Sequence, residues 1–240
     1  MTATQFWSHW LWPFATAVLG YYFSYLVFRQ YIERHKYHQL AWFVGLFLYA
    51  SAAAMETYSE FVQNWNPAVY RIYIVFAASL VGFLGLGSLY LVFRRKIWGH
   101  LFLSYLVISI ITFFYGALTV RLDETKLIAG VTVGGSALGD RFSFPRVCSF
   151  LFNIPGTTLL LGAAVYSIIL FAAKKEYSFR VWANVLIALG TIVIAIAGAM
   201  AHTGRTVGLY PAEMVGSGLL LWGFLKAGTL RKEAAREASQ

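Results

Sequence analysis

Glu56 and Arg71 are the residues best placed to do chemistry inside an otherwise apolar stretch of chain. Glu56 lies five residues before Phe61, and Arg71 lies five residues after Asn66. If Phe61 to Asn66 forms a turn between two helices, both residues sit at equal depth, about 7 Å below the helix ends at ~1.5 Å per residue. That spacing predicts a Glu56–Arg71 ion pair. The pair either closes the hairpin or presents the Arg71 guanidinium fork to an anionic ligand while Glu56 holds it. A looser echo follows at His202, Arg205 and Glu213. Its histidine has a reference pKa near neutrality and is either a proton-sensing partner of Glu213 or a polar helix end. A third group is Asn153, Pro155, Gly156, Thr157 and Thr158. Pro155 has no N–H to give the Leu151 carbonyl. Asn153 and the hydroxyls either satisfy freed backbone groups or meet a substrate at the helix break. Tyr58, Tyr70, Tyr73 and Tyr210 can line the same outer cavity. The ligand-binding candidates are therefore Glu56, Arg71, Tyr73, Asn153, Thr157, His202, Arg205 and Glu213, with no catalytic or metal role assigned.

The elements that must position these residues are membrane helices. The 240-residue chain is 59% hydrophobic and 12% charged, about half the charge of a soluble domain. Apolar runs of about 20 residues suffice to cross a ~30 Å hydrocarbon core. They fall at about 10–28, 40–61, 67–93, 97–120, 146–173, 181–201 and 208–225. Each is about twice the length of a barrel strand and lacks alternation, so helices are expected. The expected fold is an all-α integral membrane protein, a single seven-helix bundle with an outer loop at 121–145 and a cytoplasmic tail at 226–240.

Charge sets the expected orientation. With these spans, thirteen Lys and Arg fall in the connections on one side together with the tail, and six fall on the other. The acids Glu56, Glu60, Asp123, Glu124, Asp140 and Glu213 balance those six. The net +9 thus gathers on one face, which the positive-inside rule makes cytoplasmic. The N-terminus is expected outside and the C-terminus inside, in a plasma or inner membrane. Anionic headgroups, rather than nucleic acid, are the partners this charge suits. Trp7, Trp10, Trp12 and Trp65 are expected at the outer interface, and Trp42, Trp98 and Trp182 at the inner one. No cleavable signal peptide is expected, because the first nine residues hold no Lys or Arg and no small-residue cleavage site follows. The first span then serves as the targeting signal. Cys148, alone in its span, is expected to be a buried thiol.

Small residues recur as ASAAA at 50–54, GFLGLG at 82–87 and AIAGAMA at 195–201. In lipid these favour close helix packing. The segment GVTVGGSALGD in the outer loop suggests a small hairpin over Val131–Leu138 turning at Gly134–Gly135, acting as a lid or as a connector. Landmarks also repeat in order. Pro13 opens PFATAVLG and Pro155 opens PGTTLLLG; Ala52–Met55 matches Ala197–Met200; Pro67-Ala68 matches Pro211-Ala212. The proline-to-methionine spacings are 42 and 45 residues, and the next proline follows after 12 and 11. This suggests parallel three-helix repeats around a linker helix, against chance similarity of apolar sequence. The layout is similar to that of the sugar-transporting SWEET proteins, without their proline-rich signature, so it assigns no residue a role.

Several chemistries lack their residues. Haem between spans needs histidines at membrane depth, and no His/Asp/Glu cluster has zinc spacing. Retinal needs a mid-membrane lysine, whereas Lys226 falls at an inner end. No serine has a matched His/Asp signature. No cofactor is expected. The expected function is non-enzymatic binding of an anionic or amphipathic small molecule in an outward-facing cavity, as a small permease or facilitator. The alternatives are a ligand-sensing module or accessory subunit of a larger complex, binding lipid, quinone or a partner helix, with a homo-oligomer also open. An enzyme acting on lipid headgroups, with Glu56, His202 and Arg71 as acid, base and anion clamp, is the third reading.

Overall fold

Local chemistry marks the helix ends. His35 and Gln63 adopt left-handed φ values of 49° and 61°, which stop the first two helices. Asn66 Oδ1 accepts the Ala68 and Val69 amides at 2.9 and 3.4 Å, and Pro67 follows at the first helical position. Its missing N–H costs nothing there. The computed structural model describes residues 3–93, 95–128, 135–140, 142–173, 178–202 and 209–237. Side chains are described for 10–93, 95–128, 135–140, 142–170, 173, 181–197 and 209–226. Among the described residues there are seven α-helices: α1 Ala3–Arg34, α2 Tyr37–Val62, α3 Pro67–Val92, α4 Lys96–Thr119, α5 Phe144–Ala173, α6 Ser178–His202 and α7 Leu209–Glu237. An isolated antiparallel bridge joins Asn64 and Ile128.

Five of these helices contain stretches long and apolar enough to cross a membrane: Trp10–Arg34, Tyr37–Val62, Pro67–Val92, Lys96–Thr119 and Phe144–Leu170. In α6 the apolar stretch among the described residues is Val181–Ala197. Exposure agrees with the hydropathy. On α4, Leu106 and Phe113 are fully buried while Ile108, Ile111 and Tyr115 are 62–65% exposed. A row of exposed large apolar groups on one side of a helix is stable only against lipid or another apolar partner. The chain is a multi-pass membrane protein.

Helix neighbours form a closed sequence. α1 packs on α2, α2 on α3, α3 on α5, α5 on α6, α6 on α7, and α7 returns to α1. α4 lies outside this ring, against α3 and α5. Glycine brings two of the contacts to backbone distance. A Cβ added at Gly85 would lie 2.5 Å from the Gly156 carbonyl oxygen, and one at Gly190 would lie 2.5 Å from that of Gly216. The GFLGLG segment is therefore a seam between helices, as its composition suggests.

The connection between α4 and α5 packs into the bundle. Leu122, Leu127, Ala137 and Leu138 are buried in one apolar cluster with Trp65, Tyr70, Tyr73, Phe113 and Phe152. The Trp65 amide donates to Leu127 O at 3.1 Å, Asp123 N to Ala137 O at 3.0 Å, and Ala137 N to the Tyr70 hydroxyl at 3.3 Å. These bonds satisfy backbone groups that burial would otherwise strand. At its exposed rim, hydrogen bonds from Thr125, then Lys126, hold the Asp123 carboxyl below the usual range. The second arm of the expected hairpin is instead a 3-10 turn at Gly135–Ala137, and residues 129–134 lie outside the described residues. Trp65 also departs from expectation. It is 1% exposed, packed against Tyr73 at 4.6 Å and Tyr70 at 5.6 Å between centroids, because the loop covers it. Trp42 is drawn inward too, donating Nε1–H to Leu84 O at 3.2 Å. Trp98 and Trp182 stay exposed, and Cys148 is buried.

Candidate functional site

Helical spacing collects polar groups on two facing surfaces. On α2, Tyr49, Glu56 and Glu60 recur at intervals of one or two turns and share a face. On α7, Tyr210, Glu213 and Ser217 do the same. The Glu56 and Glu213 carboxyls come within hydrogen-bonding reach of one another. The Tyr73 hydroxyl donates to Glu56 Oε1 at 2.7 Å. The Tyr210 hydroxyl donates to Glu60 Oε1 at 2.7 Å, and the Tyr49 hydroxyl donates to the Glu213 backbone carbonyl at 3.0 Å. Glu56 and Glu60 are 3% and 1% exposed. Buried carboxyls persist only with such partners. Since α2 and α7 are not among the closely packed helix pairs, long polar side chains are what join them.

The acid pair opens onto a cavity of about 490 Å³. Its wall takes Tyr49 and Glu56 from α2, Tyr73, Ile74 and Ala78 from α3, and Phe113 from α4. From α5 come Arg146, Ser149, Asn153, Thr157 and Thr158; Glu213 comes from α7, and Gly135 and Leu138 from the connection between α4 and α5. Most of the surface is apolar, with a few convergent polar groups, the usual composition of a small-molecule site. Arg146 is half-buried. Its guanidinium donates no hydrogen bond and forms no ion pair among the described residues. It lies within electrostatic reach of the Tyr70 hydroxyl.

The broken helix is repaired from a neighbour. Pro155 frees the Leu151 carbonyl, and the Tyr105 hydroxyl of α4 donates to it. Asn153 Nδ2 donates instead to Ser149 O at 2.9 Å, and the Thr158 hydroxyl to Ile154 O at 2.9 Å. Asn153 and Thr157 thus reach the cavity as the spacing suggested, while the freed carbonyl is satisfied from outside α5.

The expected Glu56–Arg71 pair is not made. Arg71 donates through Nη1 to Ala117 O and through Nη2 to Val120 O at 3.0 Å. It closes the C-terminus of α4, where carbonyls are left over and a cation is favoured. The direction around the helix differs from that expectation: each residue turns the helix by about 100°, so Arg71 points away from the face that carries Tyr70 and Tyr73. Arg71 is absent from the cavity wall. Among the described residues, Glu213 faces Glu56. The His202 side chain and Arg205 lie outside the described residues, so the expected His202–Glu213 pairing falls there too. Sequence reasoning missed Arg146, Glu60 and Tyr49 as site residues. Glu60 was signalled by its place one turn after Glu56; Arg146, near the start of its helix, read as an outer boundary charge.

Compared with known protein families, curated proteins and solved structures, the chain matches none. The class reached here, a multi-pass membrane protein with a polar-tipped internal cavity, rests on its own sequence and geometry.

Proposed function

We propose that the chain crosses a plasma or inner membrane seven times, N-terminus outside and C-terminus inside. It acts there as a small non-enzymatic permease for an anionic or amphipathic molecule. The observation that carries this reading is the cavity, whose wall combines Glu56 and Tyr73 from the α1–α3 group with Asn153, Thr157 and Glu213 from the α5–α7 group. Two groups of three helices meeting at a shared site are what alternating access requires, with α4 as the linker. The matching prolines at 13 and 155, and at 67 and 211, fit a parallel repeat. Orientation rests on the one-sided Lys and Arg distribution. The sparse polar lining suits a substrate with an apolar body better than one with many hydroxyls.

Counterflow in proteoliposomes tests the reading. With unlabelled benzenesulfonate trapped inside, labelled benzenesulfonate should accumulate transiently and saturably; a rate equal to protein-free liposomes counts against a permease. The apolar lining also favours a second reading, a sensing or accessory subunit holding a lipid-like ligand. Native mass spectrometry separates the two, because a stoichiometric partner polypeptide without counterflow supports the second.

A further inference from the structure

Two basic residues near the outer ends of the helices differ in one decisive respect. Arg71 has two backbone carbonyls, whereas Arg146 faces a cavity and donates to no acceptor among the described residues. A half-buried guanidinium without a protein acceptor is available to a ligand, and its planar fork matches a carboxylate or sulfonate. The same cavity carries the Glu56–Glu213 pair. We propose that this cavity binds a monovalent organic anion together with one proton, Arg146 receiving the anion and the Glu56–Glu213 pair the proton. The inference rests on reading the cavity as the ligand site.

Chemistry and charge both support co-binding. A hydrogen bond between two carboxyl groups requires one proton between them, since two carboxylates at that separation repel. The pair therefore holds one proton and has an oxygen free to take a second from water. That gain of one positive charge offsets the arriving anion, and a loaded site with no added charge avoids the cost of carrying charge through a low-dielectric interior. No covalent bond forms to the anion. The apolar wall at Ile74, Ala78 and Phe113 suits an aliphatic or aromatic body. The groups facing the pair are Tyr49 and Glu60 on α2, Tyr73 on α3 and Tyr210 on α7; Arg146 on α5 lines the same cavity. α1 contributes no residue to the described wall. At the outer end of α6, the His202 side chain and Arg205 lie outside the described residues. Because the carboxyl bond links α2 to α7, one from each three-helix group, both groups sense whether the second proton is present.

The test uses the full-length protein in detergent, weakly buffered, with a pH-indicator dye. Benzenesulfonate is the probe because it stays ionised, so a proton taken up on its addition is bound by the protein. Wild type should bind it and take up a proton with each anion. Arg146→Gln should weaken binding by roughly ten-fold or more, and Arg146→Lys by less, as expected for a charged fork. Replacing both acids together, Glu56→Gln with Glu213→Gln, should abolish the proton uptake and make binding insensitive to pH, since either carboxyl alone can still accept one proton. The proposal is overturned by absence of binding, by binding without proton uptake, or by equal binding in Arg146→Gln. Should Arg146→Gln fail to fold, Arg146→Lys and the wild-type proton count still decide it. Proton-linked binding without counterflow would sink the permease reading and leave this one standing. Counterflow without proton uptake would do the reverse.

Discussion

Arg71 and Arg146 show how position on a helix face separates a structural charge from an available one. Arg71 ties the start of α3 to the end of α4 through two carbonyls. Arg71→Ala leaves both unsatisfied and should cost ~2 kcal/mol, the scale of hydrogen bonds to a charged donor, read as a lower unfolding midpoint in detergent. Benzenesulfonate affinity should not change with it, because Arg71 is no part of the cavity wall. A ten-fold loss of affinity would return Arg71 to the site. Tyr73 acts differently, donating to a buried carboxyl. Tyr73→Phe removes the donor and keeps the ring against Trp65, and should cost ~1–3 kcal/mol, the penalty for stranding a buried polar group. No change in the unfolding midpoint would mean that the carboxyl finds another donor.

At the scale of elements, α5 shows how neighbouring helices make a helix break tolerable. Pro155 removes one backbone bond, and Tyr105 of α4 replaces it at the Leu151 carbonyl. Tyr105→Phe should therefore destabilise the wild-type protein more than it destabilises a Pro155→Ala background, where position 155 regains an amide for the same carbonyl. A double-mutant cycle read by unfolding should show a coupling of ~1 kcal/mol; zero coupling would refute the repair. Close approach is the second device. Gly85→Ala drives a Cβ into the Gly156 backbone at 2.5 Å, so a loss of ~1–3 kcal/mol is expected from overpacking. Gly162→Ala meets nothing within 4 Å and should stay within about 1 kcal/mol of wild type. Equal effects at the two positions would show that α3 and α5 do not meet at glycine.

At the scale of the molecule, charge placement and the packed outer connection make orientation measurable. In a Cys148→Ala background, Thr125→Cys should react with a membrane-impermeant maleimide on intact cells. Lys96→Cys should react only after permeabilisation. The reverse pattern would invert the proposed topology. The outer connection covers Trp65 with Leu127 and Leu138. Trp65→Ala should then cost ~3–5 kcal/mol, as for removal of a buried aromatic, seen in the same unfolding assay. An effect near zero would mean that the connection does not pack against the bundle.

What composition and pattern decide by themselves is the solvent. A long apolar run has no stable alternative to a helix in lipid, because every backbone polar group must be satisfied within it. The helices α1 to α5, the start of α3 at Pro67 and the carbonyl freed by Pro155 were all readable for that local reason. Position along the rod was readable too, since it follows from counting residues, and it put Glu56 and Glu213 toward the same end of their helices. Direction around the rod was not. Which face of α3 turns inward depends on the neighbours against which it packs, and this sends Arg71 to α4 while leaving Arg146 at the cavity. Only the tertiary structure decided that Glu56 meets Glu213, because a contact between the second and seventh helices depends on how the whole ring closes.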